Sequence, residues 1–284
     1  MNPLRPLLYR VAKRWIAGSS RVDAIKAAKE ANAKGMAALL NYLGEGLREA
    51  RSIDEALSEY EGLQRAIAEL GLRAHISVKP TQLGLLLSEQ ALLLRLERLA
   101  EAARQRGQLL WIDMEQGQYV DGTLRAYSSL LEKGFTNVGL ALQANLRRTE
   151  KDLGGLLDKR PRIRLVKGAY PTPPPEGFSS RAEVARNYER LMELLFEARA
   201  FVAIATHDAR LVLRGIELAQ RNGAEFELQF LRGIREDLKA WAVRQGYIVA
   251  EYIPYGQSWY EYSMRRLREN RKNIWLLIRS LFGG

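Results

Sequence analysis

The sequence predicts an α/β fold: a (β/α)8 barrel of the TIM type, with extra N-terminal helices and a C-terminal helix over the barrel mouth. Three observations predict it. Short β-rich apolar runs alternate along the chain with longer amphipathic stretches, giving eight strand–helix units. The runs are close to continuously apolar, as parallel strands covered on both faces are. Nearly every run also finishes in a hydrogen-bonding or ionisable side chain, and in such barrels the C-terminal strand ends build the site.

The elements follow in order. Residues 1–35 read as leading helices and 36–284 as the barrel with its C-terminal helices, one catalytic domain over 1–284. In the leader, Leu8, Val11, Trp15 and Ile16 fall on one side of a short amphipathic helix. Strands are expected at 36–45, 75–80, 109–115, 138–144, 162–168, 202–207, 225–231 and 247–256. Helices are expected at 52–70, 89–105, from about 122, and at 146–157, 180–199, 208–221, 236–245 and 259–270. The segment 171–177 carries Pro171, Pro173, Pro174 and Pro175, so it is neither helix nor inner strand but a rigid loop, placed to overhang a site. No linker or low-complexity tract divides the chain.

Composition bounds the chemistry. The 284 residues include no cysteine, which excludes disulfides, thiolate metal sites and cysteine nucleophiles. That usage suits a cytoplasmic protein and also a hot habitat. The net charge of +11 is spread over the chain, with some excess at the ends in Arg5, Arg10, Lys13 and Arg14 and in Arg268, Arg271, Lys272 and Arg279. Such a balance suits a solvated surface or an anionic membrane face. No recognisable nucleic-acid-binding signature accompanies it, so no nucleic-acid partner is expected. No apolar run is long enough to span a bilayer, and neither a G-x-G-x-x-G after a strand nor a G-x-x-x-x-G-K-[ST] is present.

The polar strand ends are Glu45, Lys79, Asp113 with Glu115, Gln143, Lys167, Thr206 with His207, Gln229, and Tyr252 with Tyr255. Each has a plain reading beside a functional one. Lys79 precedes Pro80 and either ends its strand in solvent or faces a site. Asp113 and Glu115 share a face by alternation, as a carboxylate pair for acid–base work, with no nearby histidine to make a metal site. Lys167 has the position of a Schiff-base lysine, as in class I aldolase-type lyases on the same barrel. His207, one of two histidines, sits at a strand-to-helix junction; His75 begins a strand and reads as structural. After the last strand, Arg265 and Glu269 are four apart on a helix and can pair. Arg266 points a quarter-turn away. Adjacent arginines are commonly surface residues, but beside Trp259, Tyr260 and Tyr262 they also suit bidentate capture of a carboxylate attached to an apolar group.

Taken together these segments resemble the proline dehydrogenase family over most of the chain. RLVKGAY (164–170) is similar to its fifth-strand signature. LQANLRRT (142–149), IATHD (204–208), FELQFLRG (226–233) and YIPYG…W..Y..RRLREN (252–270) resemble the others, in the family's order, with ISVKPTQLG (76–84) and IDMEQ (112–116). LYRVAKRWIAG resembles the leader of the short monofunctional members. The resemblance implies oxidation of L-proline to Δ1-pyrroline-5-carboxylate by hydride transfer to a noncovalent FAD. It implies electrons passed to a quinone, possible peripheral contact with the inner membrane face, and a separate pyrroline-5-carboxylate dehydrogenase downstream. Gln143, Arg164, Lys167, Gly168, Thr206 and His207 would hold the flavin, with Arg164 near its reactive edge. The substrate pocket would fall on Lys79, Asp113, Ala169, Tyr170, Leu231, Tyr252, Tyr262, Arg265, Arg266 and Glu269. There Arg265 and Arg266 would grip the carboxylate and Glu269 would steady an arginine. Asn145, where an aromatic is common, Phe230 and Arg232 beside Leu231, and the Pro171–Pro175 turn depart from the pattern.

Overall fold

The fold is that of a computed structural model describing residues 5–269, with side chains from 8 to 264. Helices α1 (Arg5–Ala12) and α2 (Arg21–Ala33) lead into the barrel. Its strands are β1 (Ala37–Tyr42), β2 (Ala74–Val78), β3 (Leu110–Ile112), β4 (Val138–Gln143), β5 (Arg162–Val166), β6 (Phe201–Ala205), β7 (Phe226–Leu231) and β8 (Val249–Tyr255). Between and after them run α3 (Ala50–Glu69), α4 (Glu89–Gln105), α5 (Val120–Glu132), α6 (Thr149–Gly154), α7 (Arg181–Glu197), α8 (Ala209–Asn222), α9 (Glu236–Arg244) and α10 (Trp259–Glu269). All neighbouring strands pair in parallel, and β8 closes on β1 with Leu39 opposite Tyr252.

Local chemistry sets many of the boundaries. Ser20 with Asp23, and Ser180 with Glu183, form capping boxes that start α2 and α7. Ser88 caps α4 and Asp208 caps α8. Two expected elements are shorter than their apolar patterns. β3 stops at Ile112 because Asp113 and Glu115 turn to different partners, and α6 starts only at Thr149 because 144–148 bond to the loop after β5 and to the 176–177 turn.

The strands alternate between two interiors. Leu40, Ile76, Ile112, Leu140, Leu165, Ile204, Leu228 and Ile253 face outward into the main core beneath the helices. Inward, Leu39, Trp111, Ala203 and Ala250 plug the lower lumen, with Ala37, Leu109 and Phe201 packed on them. Gly139 makes room for this plug: a Cβ there would stand 2.4 Å from the Trp111 ring. The inward face is more polar than a reading of apolar strand interiors allows. Asn41, Ser77, Arg164, Glu227 and Gln229 are buried on it, and each bonds a neighbour there. Tyr255, expected at the mouth, faces outward and donates to Glu59 on α3 at 2.8 Å.

A separate apolar cluster joins the two ends of the described chain. Val11, Ala12, Trp15 and Ile16 pack on Leu43, Trp259 and Tyr262. The apolar side of the leader is thus covered by α10, while Arg10, Lys13 and Arg14 stay exposed. The helix itself ends at Ala12, so Trp15 and Ile16 dock from the turn that follows it.

Candidate active site

The strands' C-terminal ends surround a cavity of about 650 Å³. Every residue that the family resemblance assigns to the flavin or the substrate, and whose side chain is described, lines it. Lys79 and Asp113 follow β2 and β3, Gln143 ends β4, and Arg164 rises from β5. Lys167, Gly168, Ala169 and Tyr170 form the turn after β5, Thr206 and His207 follow β6, and Leu231 and Tyr252 come from β7 and β8. Tyr262 reaches in from α10, so that helix roofs the mouth. Arg265, Arg266 and Glu269 lie on the same helix, but their side chains are outside the described residues.

Asp113 is the hub of the cavity floor. It accepts hydrogen bonds from Ser77 Oγ (2.8 Å), Tyr252 OH (2.8 Å), Lys79 Nζ (3.2 Å) and Arg164 Nη1 (2.6 Å). Burial alone would raise its pKa, but the Lys79 and Arg164 charges and the two hydroxyls hold it below the ordinary carboxylate value. Burial opposes the Lys79 charge too, yet Asp113 and the tyrosine oxygens around it keep that ammonium well above its usual value. The Tyr252 phenol, pushed up by burial and by Asp113, stays protonated as a donor. The result is a fixed, ionised cluster with cations in excess.

Arg164 carries the cluster inward. It is 3% exposed, and its guanidinium lies over the Trp111 ring, 4.7 Å from the centroid. Nε donates to Gln229 Oε1 at 2.7 Å, and Nη1 also reaches Ser77 Oγ at 2.9 Å. Nη2 is buried with no hydrogen-bond partner.

The rim is built differently. Lys167 Nζ pairs with Asp208 at 2.9 Å, both half-exposed. A Schiff-base lysine needs an apolar, desolvated setting, and the ion pair to Asp208 denies Lys167 one, against the lyase alternative. His207 Nε2 accepts the Leu231 backbone N–H at 3.1 Å, which leaves Nδ1 as the ring's donor. Arg181, at the start of α7, adds a further cation. The turn after β5 is held from outside by Asn145, the residue that departs from the family pattern. Its N–H donates to the Lys167 carbonyl (3.0 Å) and its Nδ2 to that of Tyr170 (3.1 Å). Gly168 sits there at φ 103°, and a Cβ on it would meet Asn145 Oδ1 at 2.0 Å. The proline segment folds back on this turn, where Arg147 donates to the Gly177 carbonyl and stacks on Phe178, 4.5 Å from the ring centroid.

Some expectations are corrected here. Asp113 and Glu115 do not form a carboxylate pair. Glu115 instead receives the Thr81 N–H (2.8 Å) and hydroxyl (2.7 Å), and so ties β3 to the segment after β2. Glu45 accepts from Tyr170 OH at 3.0 Å, across the mouth. His75 accepts the Leu109 N–H at 3.0 Å and serves the barrel wall. Ser77, Glu227, Arg181 and Asp208 were not singled out for a role by sequence. Ser77 and Glu227 lie two residues before Lys79 and Gln229, so counting back by two from the polar strand ends would have found them.

Among the described residues no group of three metal-ligating side chains comes together. Fold and site define a β/α-barrel protein whose mouth combines deep, fixed charges with a cationic rim. The sequence model of the proline dehydrogenase family matches residues 24–275. The chain is 33% identical to proline dehydrogenase of Deinococcus radiodurans, over 99% of this chain and 93% of that one. It is 31% identical to proline dehydrogenase 1 of Bacillus subtilis, over 95% and 90%. Among solved structures it is similar to proline utilization A from Bdellovibrio bacteriovorus, with a TM-score of 0.85 and 25% identity. That match covers 92% of this chain and 32% of the longer one, so the chain spans about a third of that protein. The chain belongs to the proline dehydrogenase family.

Proposed function

We propose that this protein oxidises L-proline to Δ1-pyrroline-5-carboxylate using a noncovalently bound FAD. The observation that carries the reading is the pairing, in one cavity, of an orphaned guanidinium N–H at the floor with cations at the rim. A flavin dinucleotide fits this donor set, because its ring system accepts hydrogen bonds and its diphosphate needs positive charge. Arg164 and Gln143 would hold the ring end; Lys167, Arg181, Thr206 and His207 would serve the polar remainder. When bound, FAD supplies the hydride acceptor. The chain's residues bind and orient the amino acid. Arg265 and Arg266 on α10 grip its carboxylate, Glu269 steadies an arginine, and Leu231, Tyr252 and Tyr262 pack its ring. Ala169 and Tyr170 close the side of the pocket. Lys79 and Asp113 keep the floor charged, fixed and dry.

A quinone takes up the electrons, and a separate pyrroline-5-carboxylate dehydrogenase consumes the product. No helix among the described residues is long and apolar enough to cross a membrane. Contact with an anionic surface would rest on the exposed Arg10, Lys13 and Arg14, since the apolar side of the leader is occupied.

The test is the visible absorption spectrum of the purified protein, before and after anaerobic L-proline. Flavin bands that bleach with L-proline and not D-proline are expected. Arg265→Ala and Arg266→Ala should each keep the bands and lose bleaching at wild-type proline concentrations, by a rise in KM of about 100-fold. A colourless protein, inert after reconstitution with FAD, would sink the reading.

A further inference from the structure

The lumen beneath the cavity holds a carboxyl group that none of these roles uses. Glu227 lies on β7, opposite Ala203 of β6 and two residues before Gln229, so both side chains face inward. It is 7% exposed. Its Oε1 accepts a hydrogen bond from Gln229 Nε2, and Gln229 Oε1 in turn accepts from Arg164 Nε.

The amide between them has a sense. A guanidinium only donates, so the amide must turn its oxygen to Arg164. Were it reversed, two donors would meet at Arg164 and two acceptors at an ionised Glu227, each buried mismatch costing about 1–3 kcal/mol. Glu227 is the group that makes the reversed state unfavourable from the far side. Burial raises its pKa against the opposing pull of Gln229 and Arg164. Either protonation state keeps a lone pair on Oε1 for the amide, and the ionised state, which can only accept, penalises the reversed amide most. Downstream, the donors of Arg164 are divided. Nε is taken by Gln229, Nη1 by Asp113 and Ser77, and Nη2 is left buried and unpartnered. Trp111 and Tyr252, with ring centroids 4.7 Å and 5.5 Å from the guanidinium carbon, limit its tilt. A guanidinium held at two corners and stacked has one direction left in which to donate.

We propose that Glu227 is a positioning residue for proline oxidation: through the amide of Gln229 it fixes Arg164 so that Nη2 is presented to the flavin. This rests on the functional reading above. Two independent readouts therefore test it.

In cofactor-free protein, 15N NMR follows hydrogen exchange of the Arg164 Nε–H, assigned with Arg164→Lys. Glu227→Met, close in volume but without the acceptor, should speed exchange at least about tenfold by freeing the amide to turn. Glu227→Gln, whose own carbonyl can accept, should keep the protection. In FAD-loaded protein, Glu227→Met should shift the flavin midpoint potential and lower kcat about tenfold with little change in KM, while Glu227→Gln stays near wild type. Unchanged Arg164 protection in Glu227→Met overturns the proposal, as does a Glu227→Gln that behaves like Glu227→Met. If Glu227→Met does not fold, the exchanged pair Glu227→Gln with Gln229→Glu carries the test. A carboxylate at 229 accepts from Arg164 unaided, and loss of protection there overturns the proposal equally. A wild-type protein that takes up no FAD would sink the functional reading and the flavin end of the proposal. The exchange arm would then still decide whether Glu227 sets Arg164.

Discussion

His75 and Asp113 both face the barrel lumen, and both have their pKa values pushed down, the one held neutral by burial and the other held ionised by neighbouring cations. Burial, with a smaller contribution from the Arg162 charge, pushes the His75 pKa down to about 4. The unfolded chain therefore binds the proton more readily than the folded one. The stability this gives is fully present above about pH 6.5 and is lost as pH falls toward 4, by about 3 kcal/mol across the window. Urea unfolding at pH 7 and pH 4.5 should show that loss. Asn at 75, which can still accept the Leu109 N–H, should flatten it; an equal loss in His75→Asn would refute the assignment. Asp113 works in a lower window. Burial opposes its ionisation, but Lys79 and Arg164 outweigh burial. Its contribution is present above about pH 4 and goes as pH falls through the depressed folded value. Residue type alone gave neither direction. His75 could be read as structural from its place at a strand start, but its pKa depends on depth.

At the scale of elements, α1 and α10 form a unit apart from the barrel core. Trp15 Nε1 donates to Ser263 Oγ at 3.1 Å, and the Tyr9 and Trp259 rings lie 4.9 Å apart. Trp15→Ala should cost about 3 kcal/mol of local packing. Because the cluster is separate, the loss should stay local. Backbone hydrogen exchange should quicken over 8–16 and 259–264 and remain unchanged in β4 and β5. Uniform quickening through the barrel would show instead that the ends are integral to one cooperative core. The amphipathic character of the leader was legible in sequence, whereas its cover was not. The same periodicity suits a membrane face, the barrel wall or α10, and only the packing selects among them.

Over the whole molecule, ion pairs link successive helices around the barrel. Arg21 on α2 reaches Glu59 on α3, and Arg95 on α4 reaches Asp54 on α3. Arg190 on α7 reaches Glu150 on α6, and Arg214 on α8 reaches Glu189 and Glu193 on α7. Arg148 joins Asp121 of α5 to Asp152 of α6. Much of the charge among the described residues is thus spent in pairs. Single exposed pairs contribute little, but linked ones gain at high temperature. Arg148→Met should lower stability by about 0.5–1 kcal/mol in low salt, and the difference should close in 1 M NaCl, where the Debye length is about 3 Å. Denaturant titrations at both salt concentrations would check it, and a salt-independent loss would mean that the Arg148 stem matters more than its charge.

The sequence by itself determined the barrel, the order of its strands and most of the residues at its mouth. Apolar runs at helix-separated intervals have few other solutions, and a parallel barrel gathers its C-terminal strand ends whatever their identity. Lys79, Gln143, Lys167 and Tyr252 could therefore be placed at one site before any contact was known. Only the tertiary structure decided which of them touch. Asp113 and Glu115 share a strand pattern but part company, because β3 ends at Ile112 and each carboxylate turns to donors from a different segment. Ser77, Glu227 and Gln229 are polar residues in otherwise apolar strands. Ser77 and Gln229 bond Arg164 directly and Glu227 through Gln229, so that with Asp113 they link β2, β5, β7 and the end of β3 across the lumen, over separations as long as 87 residues. Local periodicity carries no information about such partners, since closure of the barrel is what brings the inward faces together.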